Sequence, residues 1–333
     1  MSVFQMSLIC LASTVVTGCY YSGSIDRETQ SETVVSSSVS TGSSVSSGYS
    51  VFRAGEIAYE VRSAPLSLQT QLNPLLAEMK ALRGQENRLV CAQTFEIQGL
   101  FLCIGSTEAA HHAPLMRAAI FAEGRPALGV QRAGQVVSFE VAKKGWGPSG
   151  GHDLPRPLLE GYFSTLKNAC AGNIACMGLY EFEFARSVMA ELMRLAPSGY
   201  SVITFDVESE SSFSNVKNHE ISHGQFFQQP AYRQAVVNFW NSLSPNIREA
   251  ARIDLAYAYD VNIQELLINE FHAYVLDGTY VRRGTPESIA GAKKYDQNMG
   301  AALEILAFNA PALRESLVAM IRSSGVPLWA GRL

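Results

Sequence analysis

The segment SNVKNHEISHGQFF, residues 214–227, sets two histidines four positions apart and puts a glutamate directly after the first. It reads as a helix that stops before Pro230. On a helix, positions i and i+4 share a face one turn apart. His219 and His223 can therefore each aim a ring nitrogen at one point. Glu220 is turned about 100° from His219 by helix geometry, which puts it beside that point rather than on it. Whatever this chain folds into must satisfy two imidazoles and a carboxylate crowded on one turn. A bound divalent ion would do so; a solvated polar helix face is the plainer alternative.

Two imidazoles do not complete a zinc site, because catalytic zinc takes three protein ligands and keeps a fourth position for water. The segment ELLINEFHAYVLDG, residues 265–278, offers the third. With Glu270 at the origin of a helical wheel, Ile263, Leu266, Leu267, Ala273 and Tyr274 fall within about 60° of it. A carboxylate at the centre of an apolar stripe is costly unless a cation or strong donors meet it. His272 falls about 200° away, beside Glu265, on the side expected to be wet. The wheel therefore prefers Glu270 to His272 as ligand. Asp277 lies within about 20° of Glu270, two turns on, where it can accept a hydrogen bond from a ligand histidine. The competing reading gives Glu270 an arginine partner and Asp277 a helix-end role.

HEISHGQFF followed by NEFHAYVL resembles the zinc-dependent metallopeptidases of the H-E-x-x-H kind. Phe226 and Gln229 stand where the metzincin pattern has glycine and histidine, so the likeness is gluzincin-like and covers residues 200–277. It implies one zinc per chain held by His219, His223 and Glu270, with Glu220 as the general base that activates water for peptide-bond hydrolysis. It also implies an oxyanion donor, for which Tyr274 is the first choice, ahead of His272, Tyr257 and Tyr280. Such enzymes place a strand before the motif helix, and YSVITFDVE, residues 200–208, sits there. Its exposed edge would bind extended peptide. The thermolysin-type pattern has an aspartate four residues after the third ligand. Tyr274 takes that place here, so the outer partners differ.

The rest of the chain bears on where such an enzyme would work. MSVFQMSLICLASTVVTGC opens the sequence with an apolar run over 3–16, too short to span a bilayer comfortably. Residues 1–19 read as an export signal ending in Val-Thr-Gly-Cys, which resembles a bacterial lipobox with Cys19 as the lipidated residue. No lysine or arginine precedes the run, a departure from that pattern. Residues 20–54 read as a Ser-rich disordered tether, with a reach of roughly 30 Å. Cys91 and Cys103 flank a hairpin, and Cys170 and Cys176 flank a short loop. Pairing by proximity gives two disulfides, as an oxidising compartment allows; four reduced, buried cysteines are the alternative. These features point to the bacterial cell envelope, as a lipoprotein facing the periplasm from the outer membrane, or to secretion. The substrate would be an envelope protein, a peptide or a cell-wall cross-link. A net charge of −4, with no Lys/Arg cluster, argues against nucleic acid as a partner.

At 333 residues and 47% hydrophobic content the chain can bury a large core. The expected class is α+β. A small β-rich region over 55–145, with one early helix in LQTQLNPLLAEMKALRG, precedes a mainly helical zincin-like region over 146–333 with one strand before the motif. NRLVCAQTFEIQGLFLCIG reads as two strands, and RPALGVQRAGQVVSFEVAKK as another pair turning at Ala133 and Gly134. The Gly/Pro-dense 143–157 reads as a boundary or a functional loop. His111 and His112 read as an exposed loop rather than a second metal site. A different class of function fits the same features: a non-catalytic envelope lipoprotein with a structural metal and a partner-binding β region.

Overall fold

A computed structural model describes residues 48–144, 151–207 and 213–329. The expected export signal, Cys19 and most of the tether lie outside these residues, and the tether's last positions are already strand. β1 (Tyr49–Ala54) and β2 (Ile57–Leu66) form a hairpin that turns at Gly55, whose φ of 55° is one glycine adopts without strain. Next come α1 (Leu72–Leu82), β3 (Asn87–Thr94), β4 (Leu100–Gly105) and α2 (Glu108–Glu123). After these follow α3 (Phe139–Lys143), β5 (His152–Pro155), α4 (Arg156–Ala169), α5 (Ile174–Met177), α6 (Leu179–Glu183), α7 (Met189–Leu195) and β6 (Ser201–Asp206). The remainder is helical: α8 (Phe213–Gln228), α9 (Pro230–Ser242), α10 (Pro245–Leu255), α11 (Gln264–Leu276), α12 (Thr279–Arg283), α13 (Pro286–Tyr295) and α14 (Gln297–Ser323). The α+β class expected from the sequence is what the chain adopts.

The six strands make one mixed sheet in the order β1-β2-β3-β4-β6-β5. β2 and β3 run parallel through α1, as a parallel pair requires a crossover. β3 and β4 are antiparallel, with Cys91 directly opposite Cys103 and joined to it. The second disulfide is Cys170–Cys176. Both expected pairings form.

Strand alternation separates the two faces. On β4, Phe101 and Cys103 enter the core shared with α2, α4 and α7, while Leu100, Leu102 and Ile104 enter the core shared with α1 and Ile221 of α8. β6 divides likewise, with Val202 on the first face and Ile203 and Phe205 on the second. It is buried throughout because helices cover both sides. A third core gathers α9, α10, α11 and α14 around Phe226. Gly224 allows α8 to lie close on the sheet; a Cβ there would sit 2.6 Å from the Leu100 side chain.

Several expectations are corrected. The segment 125–144 forms no strand pair. Pro126 starts a short 3-10 turn, Val130 bridges back to Arg125, and Val137 and Val141 pack with Met116 and Ile120 of α2 instead of joining the sheet. His111 and His112 are not in an exposed loop. They sit in α2, whose N-terminus Thr107 caps by accepting from the Ala110 amide, and both are buried. The Gly/Pro-rich stretch contains β5, and the sheet thus crosses the expected boundary at 145/146. β6 is interior, flanked by β4 and β5, so the open edge belongs to β5. Ile263 occupies the N-terminal cap of α11, and Asn262 donates to Asp260. No described helix is long and apolar enough to cross a membrane.

Candidate metal centre

α8 and α11 pack side by side, and between them the expected ligands meet. His219 Nε2 lies 3.6 Å from Glu270 Oε2, and His223 Nε2 lies 3.8 Å from Glu270 Oε1. One donor atom from each of the three residues lies within 4.8 Å of the others. An ion with bonds of about 2.0–2.2 Å sets its tetrahedral ligands roughly 3.3–3.6 Å apart, so the spacing suits such an ion. Glu270 is 1% exposed although it is a carboxylate.

The far nitrogens are held as well. His219 Nδ1 is 3.1 Å from Asp277 Oδ2, the place expected for Asp277. His223 Nδ1 is 3.5 Å from Asp153 Oδ2 on β5, and Asn269 Nδ2 donates to the same oxygen at 3.0 Å. The Asp277 hydrogen bond fixes the His219 ring with Nε2 toward the centre, while Asp153 faces His223 Nδ1 at ion-pair distance without a hydrogen bond. Asp277 also closes the end of α11 and accepts from the Thr279 amide at 2.6 Å. Replacing Asp277 by Asn is expected to weaken ion affinity by roughly 10–100-fold, read by competition against a chelator of known affinity. Unchanged affinity would assign Asp277 to the helix end alone.

Glu220 is buried beside this set, and its Oε2 has no hydrogen-bond partner. It also groups with Asp153 and His223, with donor atoms within 4.8 Å. Gly151, at the start of β5, leaves the space Glu220 fills: a Cβ there would fall 2.1 Å from Glu220 Oε1. Gly151→Ala should therefore displace the carboxyl while leaving the three ligands in place. If the centre is hydrolytic, the expected result is undiminished ion content with kcat lowered about 100-fold, the usual cost of an ångström-scale misplacement. Unaltered kcat would mean that Glu220 does not act from this position.

Burial raises the Glu220 carboxyl well above its ordinary range, and the carboxylates of Asp153, Glu270 and Glu123 reinforce this against His219. Burial also lifts Asp153 to about 6, against the opposing pull of His223. Glu270 goes the other way, to about 2. Burial works against its charge, but His223 and His219, with a hydrogen bond from Tyr259, outweigh it. His219 is raised, since its bonds to Asp277 and Glu270 overcome burial. Buried neighbours are thus pushed apart, Glu270 toward its ionised form and Glu220 toward its protonated form.

The expected tyrosines fall in different places. Tyr274 packs its ring edge-on against His219 at 4.8 Å between centroids, and its hydroxyl is 3.3 Å from that of Tyr259. Tyr259, which sequence reading did not single out, bonds the ligand carboxylate. Tyr280 is buried against Phe271 and Tyr274, and Tyr257 is largely exposed. His272 is not on a wet face. It is fully buried against Phe226 and Tyr232, and burial lowers its pKa to about 3. α11 is enclosed nearly all round, so its wheel has no wet side on which to place it. Asp153, Asn269 and Gly151 also escaped notice, although two of them lie within the 143–157 stretch flagged for function.

A cleft of about 1150 Å³ adjoins the centre. Glu123, Asp153, Arg156, Gln228, Arg233 and Asn269 are among its lining residues. Among the described residues, no strand pairs with the outer side of β5 next to it.

No known family profile, curated protein or solved structure matches the chain.

Proposed function

We propose that this chain is a zinc-dependent metallopeptidase, exported and anchored by lipid at Cys19. The observation that carries the reading is the convergence of His219, His223 and Glu270 with carboxylates behind both imidazoles and Glu220 buried alongside. Glu220 Oε2, buried with no hydrogen-bond partner, supports a cation there. Two imidazoles and one carboxylate in a tetrahedral spacing suit zinc rather than calcium or magnesium, which take oxygen shells. When bound, zinc supplies Lewis acidity and a water of lowered pKa.

The chain's own groups do the rest. Beside a bound cation, which favours its ionised form, Glu220 takes a proton from the attacking water and delivers it to the leaving amine. Asp153 and Asp277 keep both imidazoles in the tautomer that presents Nε2 to the ion. An extended peptide would add along the open edge of β5 and lie in the adjoining cleft. A purely structural site would need neither Glu220 nor the space left by Gly151. The two disulfides are compatible with export.

The direct test incubates the purified chain with a mixed-sequence peptide library and reads new termini by mass spectrometry. Cleavage that a chelator removes and zinc restores is expected. A chain carrying stoichiometric ion that cuts nothing would favour the non-catalytic lipoprotein reading. Loading itself should release protons. His219 is raised in the ion-free site, and only the neutral ring binds, so affinity rises with pH until His219 has lost its proton. Calorimetry in buffers of different ionisation enthalpy reads this release, and identical heats would contradict it.

A further inference from the structure

A second group of histidines lies on the opposite face of the sheet. His111 and His112 come from α2 and His152 from β5, and none is more than 1% exposed. Strand alternation sends His152 toward α2 and the next residue, Asp153, toward α8. His112 Nδ1 lies 3.0 Å from His152 Nε2. The His111 ring lies 4.2 Å from that of His112 and 4.6 Å from that of His152, between centroids. One nitrogen from each ring falls within 4.8 Å of the others.

From these contacts we infer that His111, His112 and His152 form a second binding site, for a buried divalent transition ion of the zinc class. Three imidazoles bring six ring nitrogens into a dry interior. His112 Nδ1 meets His152 Nε2, His111 Nε2 meets Thr204 Oγ1 at 2.7 Å, and His152 Nδ1 has no hydrogen-bond partner. A buried ring nitrogen left without a partner is costly. An ion accepts lone pairs from all three rings at once. Bonds of about 2.0–2.1 Å would set the nitrogens roughly 3.3 Å apart, only a few tenths of an ångström wider than the His112–His152 separation. Asp206 Oδ2, 3.4 Å from His111 Nδ1, is the carboxylate that an ion-binding imidazole carries at its other nitrogen. The all-imidazole set selects zinc or cobalt over calcium or magnesium. Enclosure on every side gives the ion a structural role, tying α2 to β5.

The test is ion content per full-length chain after exhaustive dialysis, with cobalt(II) absorption as a second readout. Two ions are expected in the wild type. His112→Phe, which keeps the ring volume, should hold one, and Glu270→Ala should also hold one. The cobalt bands lost in the two variants should differ. A wild-type count of one that Glu270→Ala abolishes would overturn the inference, as would a count of two that His112→Phe leaves unchanged. If His112→Phe fails to fold, the counts in the wild type and in Glu270→Ala still decide: one ion remaining in Glu270→Ala supports the site, and none overturns it. If instead the α8–α11 reading were the one in error, Glu270→Ala would leave the count untouched while His112→Phe lowered it.

Discussion

Glu220→Gln is expected to keep its ion and lose hydrolysis by about 100- to 10,000-fold, the range spanned by a positioned acid–base group. Gln matches Glu in size, so it should fit the space that Gly151 leaves and disturb His219 and His223 little. What it lacks is a carboxylate oxygen that can accept a proton. The measurement is kcat on a cleaved peptide, with ion content determined on the same preparation. Loss of activity together with loss of ion would make Glu220 a ligand instead of a base. Activity near the wild-type level would place the acid–base chemistry on another group.

Glu270→Ala is expected to do the reverse and remove the ion. Loss of a direct ligand should exceed the roughly 10–100-fold affinity cost of an outer partner. It also leaves the buried His223 and the half-buried His219 facing empty space. The consequence reaches stability, because an ion that binds only the folded chain stabilises it by about 4 kcal/mol at a thousand times its Kd. Adding zinc at sub-millimolar concentration should raise the melting temperature of the chelator-treated wild type by several degrees through this centre. The variant should lose that part of the rise. An equal rise in both would place the responsive ion elsewhere.

What could be read in advance follows from how local each signal is. The histidine pair was legible because helical spacing alone places both rings on one face. Glu270 was legible because a carboxylate amid Leu266, Leu267 and Ala273 contradicts its surroundings. The same wheel misplaced His272 because it assumes one wet side, and α11 has almost none. Asp153 and His152 could not be placed beforehand. They sit in a four-residue strand between glycines and prolines, and its partner in the sheet lies about fifty residues further on. Nothing local signals such a pairing. His111 and His112 were misjudged for a related reason: the ring that joins them comes from that strand. The apolar residues over 125–144 alternate as strand residues do, yet the sheet ends at β1 and β5, leaving them α2 to pack on.

Asp153 reaches His223 from outside the run of helices that carries His219, His223 and Glu270. The arrangement is therefore not a portable module. A fragment starting at α8 would retain both imidazoles and Glu270 yet leave one ring free to swivel. Grafting the two helices into another scaffold would transfer the donors without the bracing that aims them.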